Sequence, residues 1–197
     1  MSISGKMMLV LTVITMLSGG ILSTWDIYTK PKIEHHHLIA LQNALKEVLP
    51  EYDRYDKIST DEISLYIAYL KEQNEPVGVA FETTGNGFQG VIDIMIAVTP
   101  DFDKIIGMKI LEQLETPGLG TKIVNDPSNK KDPVWFTKQF RNKLTNPPLI
   151  ITKSPVIQST NEIQAITGAT ISSRSVVNII NNSMISARYI YNNRFKE

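Results

Sequence analysis

The chain contains no cysteine. That absence removes disulfide frameworks, thiolate-bound zinc, cysteine-ligated iron–sulfur clusters and thiol catalysis, so any redox chemistry must reside in a bound organic group. There is no surplus of charge either: 20 Lys and Arg balance 20 Asp and Glu over 197 residues. A protein that grips nucleic-acid backbone carries a basic footprint, and nucleic acid is therefore excluded as the expected partner. Histidine is confined to one run, His35, His36 and His37. Consecutive helical side chains point about 100° apart and cannot converge on one ion, so the run reads as a solvated helix face and no metal site is expected. Also missing are a Walker Gly-Lys-Ser/Thr, a three-glycine dinucleotide fingerprint and a Gly-x-Ser-x-Gly elbow. Hydrolase readings have no support, and no side chain is assigned a catalytic role. No internal repeat or low-complexity tract is visible.

What is present begins with a long apolar run. Residues 7–24, MMLVLTVITMLSGGILST, carry no charge and are bounded by Lys6 and by Trp25 with Asp26. As a helix this segment rises roughly 27 Å, close to the hydrocarbon thickness of a bilayer, with Trp25 and Tyr28 where interfacial aromatics lie. A cleaved signal peptide would have a shorter apolar core and an Ala-x-Ala-like site, so an uncleaved single-pass anchor in lipid is expected. Flanking charge does not set the topology, because Lys6 stands against Lys30 and Lys32. The bulk of the chain follows one amino-terminal anchor and lacks cysteine, which predicts residues 1–6 in the cytoplasm and an extracytoplasmic domain over 51–197; a cytoplasmic domain hung from the membrane is the alternative. Between them, residues 25–50 form a linker in which Ile33, Leu38, Leu41, Leu45, Val48 and Leu49 keep near-helical spacing until Pro50.

Beyond the linker the pattern changes to β-branched alternation. VGVAFETTG, GVIDIMIAVT and KIIGMKILEQL lie between Tyr66 and Leu114, separated by Gly- and Pro-containing turns, and predict at least three antiparallel strands. Residues 134–144 predict a short helix and residues 149–152 another strand. A final helix over 172–194 presents Val176, Val177, Ile180, Met184, Ala187 and Tyr191 on one stripe. The expected class is α+β, an antiparallel sheet with packed helices, preceded by one transmembrane helix.

Two glycine motifs stand out. Glu115-Thr116-Pro117-Gly118-Leu119-Gly120-Thr121-Lys122 follows a strand. Pro117 fixes φ and Gly118 accepts positive φ, so a tight turn is expected, either an ordinary strand exit or one that offers exposed N–H groups and a hydroxyl. Thr167-Gly168-Ala169-Thr170-Ile171-Ser172-Ser173 precedes the last helix. Small residues admit a ligand to the backbone, and hydroxyls with the free N–H groups of a helix start suit phosphate; a plain N-cap at Ser172 or Ser173 satisfies the same pattern.

Taken together, the anchor, the ETPGLG strand end, Trp135–Phe136 and TGATISS before a terminal helix resemble the FMN-binding domain family of RnfG, a component of ion-translocating ferredoxin:NAD oxidoreductases, and its relative NqrC. The resemblance spans essentially the whole chain. It implies FMN carried as a phosphoester on Thr170, installed outside the cytoplasm by a flavin transferase. Thr167, Gly168, Ala169 and the backbone near Ser172 and Ser173 would hold the phosphate, and Glu115, Thr116, Leu119 and Gly120 would flank the ring. Lys122 would serve an anionic group. The family pattern has Asp six residues before the flavinylated threonine; here Gln164 stands there, with Glu162 two positions earlier. The implied role is electron relay with other membrane and peripheral subunits of an Rnf-type complex. An FMN domain on another extracytoplasmic route and a cofactor-free assembly module are the alternatives.

Overall fold

The computed structural model describes residues 2–60, 63–71, 74–156 and 161–195. The chain divides into two compact units, Met1–Ala40 and Leu41–Glu197. Helix α1 (Ile3–Val48) includes Pro31 and supplies the whole of the first unit's regular structure. Its apolar side chains there, Met8, Leu17, Leu22 and Trp25 among them, are exposed. It is the one helix among the described residues long and apolar enough to cross a membrane.

The second unit is built on a five-stranded antiparallel sheet in sequential order, β1 (Arg54–Ser59), β2 (Ser64–Tyr69), β3 (Pro76–Asn86), β4 (Val91–Val98) and β5 (Ile105–Gln113). Period-two alternation sends Leu65, Ile67, Val79, Phe81, Ile92, Ile94 and Ile96 to one face and Tyr66, Ala68, Ala80, Met95 and Ala97 to the other. The second face, three of whose five named residues are alanine, is covered by Leu41, Ala44, Leu45 and Val48 from the last turns of α1. The first face is covered by helix α3 (Thr170–Phe195), and every member of the expected stripe, from Val176 to Tyr191, is buried there. Full burial of a Val, Ile or Met side chain of this stripe stabilises the unit by about 1.5–3 kcal/mol.

The structure differs from the sequence pattern in four places. Strand β1 is not expected, because RYDKIS is polar and exposed; it forms the sheet edge, where charge is tolerated and deters further pairing. The helix expected over 134–144 shrinks to the single turn α2 (Trp135–Lys138). Asn142 turns at φ 64°, its N–H bonds Ile105 O at 2.8 Å, and Ile105 N–H bonds Lys143 O at 2.9 Å, so the edge of β5 captures residues that would have continued the helix. Finally, β6 (Ile150–Thr152) pairs in parallel with β7 (Glu162–Gln164), and α3 starts at Thr170 rather than 172.

Candidate functional site

The two glycine motifs, far apart in sequence, meet at one carboxylate. Glu115 leaves β5 and is only 5% exposed. Its Oε1 accepts the backbone N–H of Phe88 at 2.6 Å and of Gln89 at 3.2 Å, both on the turn between β3 and β4. Its Oε2 accepts the Ser172 hydroxyl from the first turn of α3 at 2.7 Å. One side chain thus ties the β3–β4 turn, the ETPGLG loop and the start of the last helix. A Cβ on Gly120 would lie 2.4 Å from Glu115 Oε2 and 3.0 Å from Ser172 Oγ, so the loop closes on this carboxylate only with glycine there.

After Glu115 the chain turns as Pro-Gly predicts. Gly118 takes φ 75°, Leu119 N–H bonds Thr116 O at 3.2 Å, and Gly118 N–H bonds Thr121 Oγ1 at 2.9 Å. The Thr116 hydroxyl donates to the Gln89 side chain, joining the loop to the β3–β4 turn a second time. Gly120 and Lys122 then enter a 3₁₀ turn, Gly120–Ile123. Leu119, half exposed, lies beside Gly168: a Cβ there would sit 3.7 Å from Leu119 Cδ2, and Gly168 holds φ 84°, which a side chain would strain.

In the second motif Thr167 and Gly168 are exposed, Ala169 is buried and Thr170 is partly buried as the first residue of α3. The first i→i−4 bond of that helix is Ser173 N–H to Ala169 O, so the N–H groups of Thr170, Ile171 and Ser172 precede the ladder. Thr170 Oγ1 reaches only a distant acceptor, Ile166 O at 3.5 Å, which leaves its hydroxyl weakly held. The neighbouring hydroxyls are committed. Ser173 Oγ, fully buried, donates to Ala169 O and accepts Ile166 N–H, while Ser172 Oγ serves Glu115.

Exposed apolar side chains surround this junction: Phe88, Leu114, Leu119 and Ile171. Phe88 and Gln89 carry no sequence signal of their own; the glycines bracketing GNGFQG are the available one. Lys122 stands off the junction, its Nζ 4.0 Å from Asp126 Oδ1. No cluster of metal-ligating side chains occurs among the described residues.

Asp126 anchors the loop that follows. It is buried and accepts bonds from Ser128 N–H at 3.1 Å, the Ser128 hydroxyl, and Trp135 Nε1 at 3.1 Å. Burial opposes its ionisation, but the Ser128 and Trp135 hydrogen bonds and the Lys122 charge together outweigh burial and hold its pKa below the usual value. A depressed carboxylate contributes stability above the unfolded pKa of about 3.9 and loses it as pH falls through the folded value. Asp126→Asn is therefore expected to cost about 1–3 kcal/mol at pH 7 and to flatten this loss in acid. Denaturant titrations at pH 7 and below 4, followed by Trp135 emission in a Trp25→Phe background, measure both.

A family model described as an FMN-binding domain matches residues 87–184, from the β3–β4 turn into α3. The chain is 30% identical over 185 residues to the G subunit of the ion-translocating oxidoreductase complex of Erwinia tasmaniensis, covering 86% of this chain and 83% of that one. It is 28% identical over 194 residues to the G subunit of the Na(+)-translocating ferredoxin:NAD(+) oxidoreductase complex of Acetobacterium woodii, covering 91% and 89% respectively. Its fold resembles the crystal structure of NqrC from Shewanella oneidensis, with a TM-score of 0.53 and 20% identity over 70% of this chain and 66% of that one.

Proposed function

Because the chain belongs to the G-subunit family of ion-translocating oxidoreductase complexes, we propose that it relays electrons through FMN bound covalently, by a phosphoester, to Thr170. The observation that carries this reading is the junction itself: a weakly held threonine hydroxyl at the start of a helix that Glu115 ties to the glycine loop, with its neighbouring serines already engaged. The residues fit the group. Thr170 would hold its phosphoryl end, the N–H groups of Thr170, Ile171 and Ser172 and the positive helix terminus would offset the remaining phosphate charge, and Leu119, Phe88 and Ile171 offer apolar contact. Bound there, FMN accepts and releases electrons.

The chain's own task is positional. Glu115 fixes the loop against α3, and Gly168 supplies the positive-φ backbone, bare of a side chain, two residues before Thr170. Nothing in this site requires a general acid or base. Covalent attachment suits a domain outside the cytoplasm, where a dissociated cofactor is lost by dilution; the flavin transferase and the sidedness belong to the same proposal. In that setting the domain hands electrons between subunits of a ferredoxin:NAD oxidoreductase. The name of the Acetobacterium woodii relative, which makes it one component of such a complex, supports this reading.

The test is direct. Full-length protein isolated from a host that carries the transferase is expected to be yellow, to stay fluorescent on a denaturing gel, and to gain the mass of one FMN less water on the peptide containing Thr170. A colourless chain of unmodified mass from that host would defeat the covalent assignment, and colour lost on denaturation would replace it with reversible binding.

A further inference from the structure

Overall neutrality conceals a strong separation of charge. Residues 51–75 carry seven Asp or Glu against three Lys or Arg, and residues 120–156 carry seven Lys or Arg against Asp126 and Asp132. Strands β1 and β2 form one edge of the sheet, with Asp53 and Asp56 there among the described residues, and the basic stretch begins beyond the opposite edge, β5, with α2 packed against it. Across five strands the two edges are about 19 Å apart. A charge asymmetry of this kind steers encounters and fixes their orientation.

The basic edge is also shaped. The loop from Asp126 to Trp135 is braced by the Asp126 hydrogen bonds, and Asp126 N–H donates to Pro133 O at 2.7 Å, so exposed Lys130 and Lys131 ride on a fixed support. Lys138 and Arg141 separate two cavities, one of about 390 Å³ bordered by Trp135 and one of about 490 Å³ walled by Met108, Val124 and Val134. Lys138 is matched by Asp132 at 2.8 Å and Lys109 by Glu47. Among the described residues no carboxylate lies within ion-pair distance of Lys130, Lys131 or Arg141.

This face is continuous with the flavin junction, since Leu119 beside Gly168 leads through Lys122 to Asp126 and Trp135. We propose that it is the docking surface for a carboxylate-rich face of another subunit of the complex, oriented so that the partner's redox centre meets the edge of the Thr170 site. The inference rests on the electron-relay reading above. A protein surface is the occupant because protruding side chains can fill concave pockets set between fixed cations, whereas a lipid surface offers no such relief.

The complex isolated through a tag on another subunit tests it. A carbodiimide joins lysine amines to carboxylates only at contact, and amide cross-links from Lys130, Lys131 or Lys138 to acidic residues of that subunit are expected. The triple charge reversal Lys130→Glu, Lys131→Glu, Arg141→Glu should lower the chain retained at roughly 0.3 M salt about threefold or more, with flavin content unchanged. Retention equal to wild type, no cross-links, or cross-links only between two copies of this chain would overturn the proposal. So would protection of Lys130 and Lys131 from acetic anhydride in phosphatidylglycerol bilayers but not phosphatidylcholine ones, which assigns the face to lipid. If flavin-loaded wild-type chain is absent from the isolate even at low salt, the reading as a component of the complex itself falls, and this inference with it.

Discussion

Replacing Glu115 by alanine is expected to destabilise the second unit by about 3–5 kcal/mol, a large part of the roughly 5–15 kcal/mol that holds an ordinary domain together. The side chain is buried and accepts three hydrogen bonds, from Phe88 N–H, Gln89 N–H and the Ser172 hydroxyl. Truncation leaves those donors without their acceptor, each at a cost of about 1–3 kcal/mol, reduced where water enters the space left behind. Glu115→Gln discriminates this account from a simple loss of volume. Its carbonyl oxygen retains the two backbone donors, and its amide can donate to Ser172, whose hydroxyl also accepts. The loss for Gln should therefore be nearer about 1 kcal/mol. Denaturant melts give the stabilities. In flavin-loaded protein the Ala variant should also show lower fluorescence anisotropy, because the ETPGLG loop and the start of α3 are no longer tied. Equal stabilities for Ala and Gln would show that the three bonds carry little.

Glu115 also marks the boundary of what the sequence could disclose. Strands β3, β4 and β5 and the buried stripe of α3 follow from period-two and helical spacing, which are local properties. The turn at Gly118 follows from Pro-Gly, and its φ of 75° agrees. Membership of the two glycine motifs in one site came from resemblance. The physical link between them is a contact across 57 residues, Glu115 to Ser172, and the Phe88 turn joins from 27 residues away. Neither contact leaves a periodic trace. The same holds for residues 139–143, whose helical pattern yields to capture by the β5 edge at Ile105, a case of tertiary pairing overriding local preference. Strand β1 is hidden for the opposite reason: an edge strand has no buried face on its open side to enforce alternation, and its charges read as loop.

Under the proposed attachment, Thr170→Ala, which removes the ester-forming hydroxyl, should abolish covalent flavin altogether. Thr170→Ser should keep it, since the hydroxyl is what forms the ester. The surrounding hydroxyls determine where a rival linkage would form. Ser172 is spent on Glu115 and Ser173 is enclosed between Ile166 N–H and Ala169 O, so neither is free to substitute. Thr167 is the exposed hydroxyl of the motif, so flavin mapped to Thr167 in Thr170→Ala would contradict the expected complete loss. The position six residues before the ester adds a second arm. On β7 the partly exposed Glu162 and Gln164 alternate with buried Ile163 and share one side of the strand. Glu162 is not equivalent to an acid at 164, however, because its charge acts on buried Lys143, where it opposes the downward push of burial on that amine's pKa. The backbone of Gln164 is clamped on both sides by the Gln139 amide, at 2.8 and 3.1 Å, so a new carboxylate at 164 would be presented from a fixed strand. Gln164→Asp should accordingly raise the fraction of chain that carries flavin after limited exposure to the transferase, while Glu162→Gln should leave it unchanged. Intact mass at fixed times reads both arms, and a drop in Glu162→Gln with no rise in Gln164→Asp would move the recognition role to Glu162.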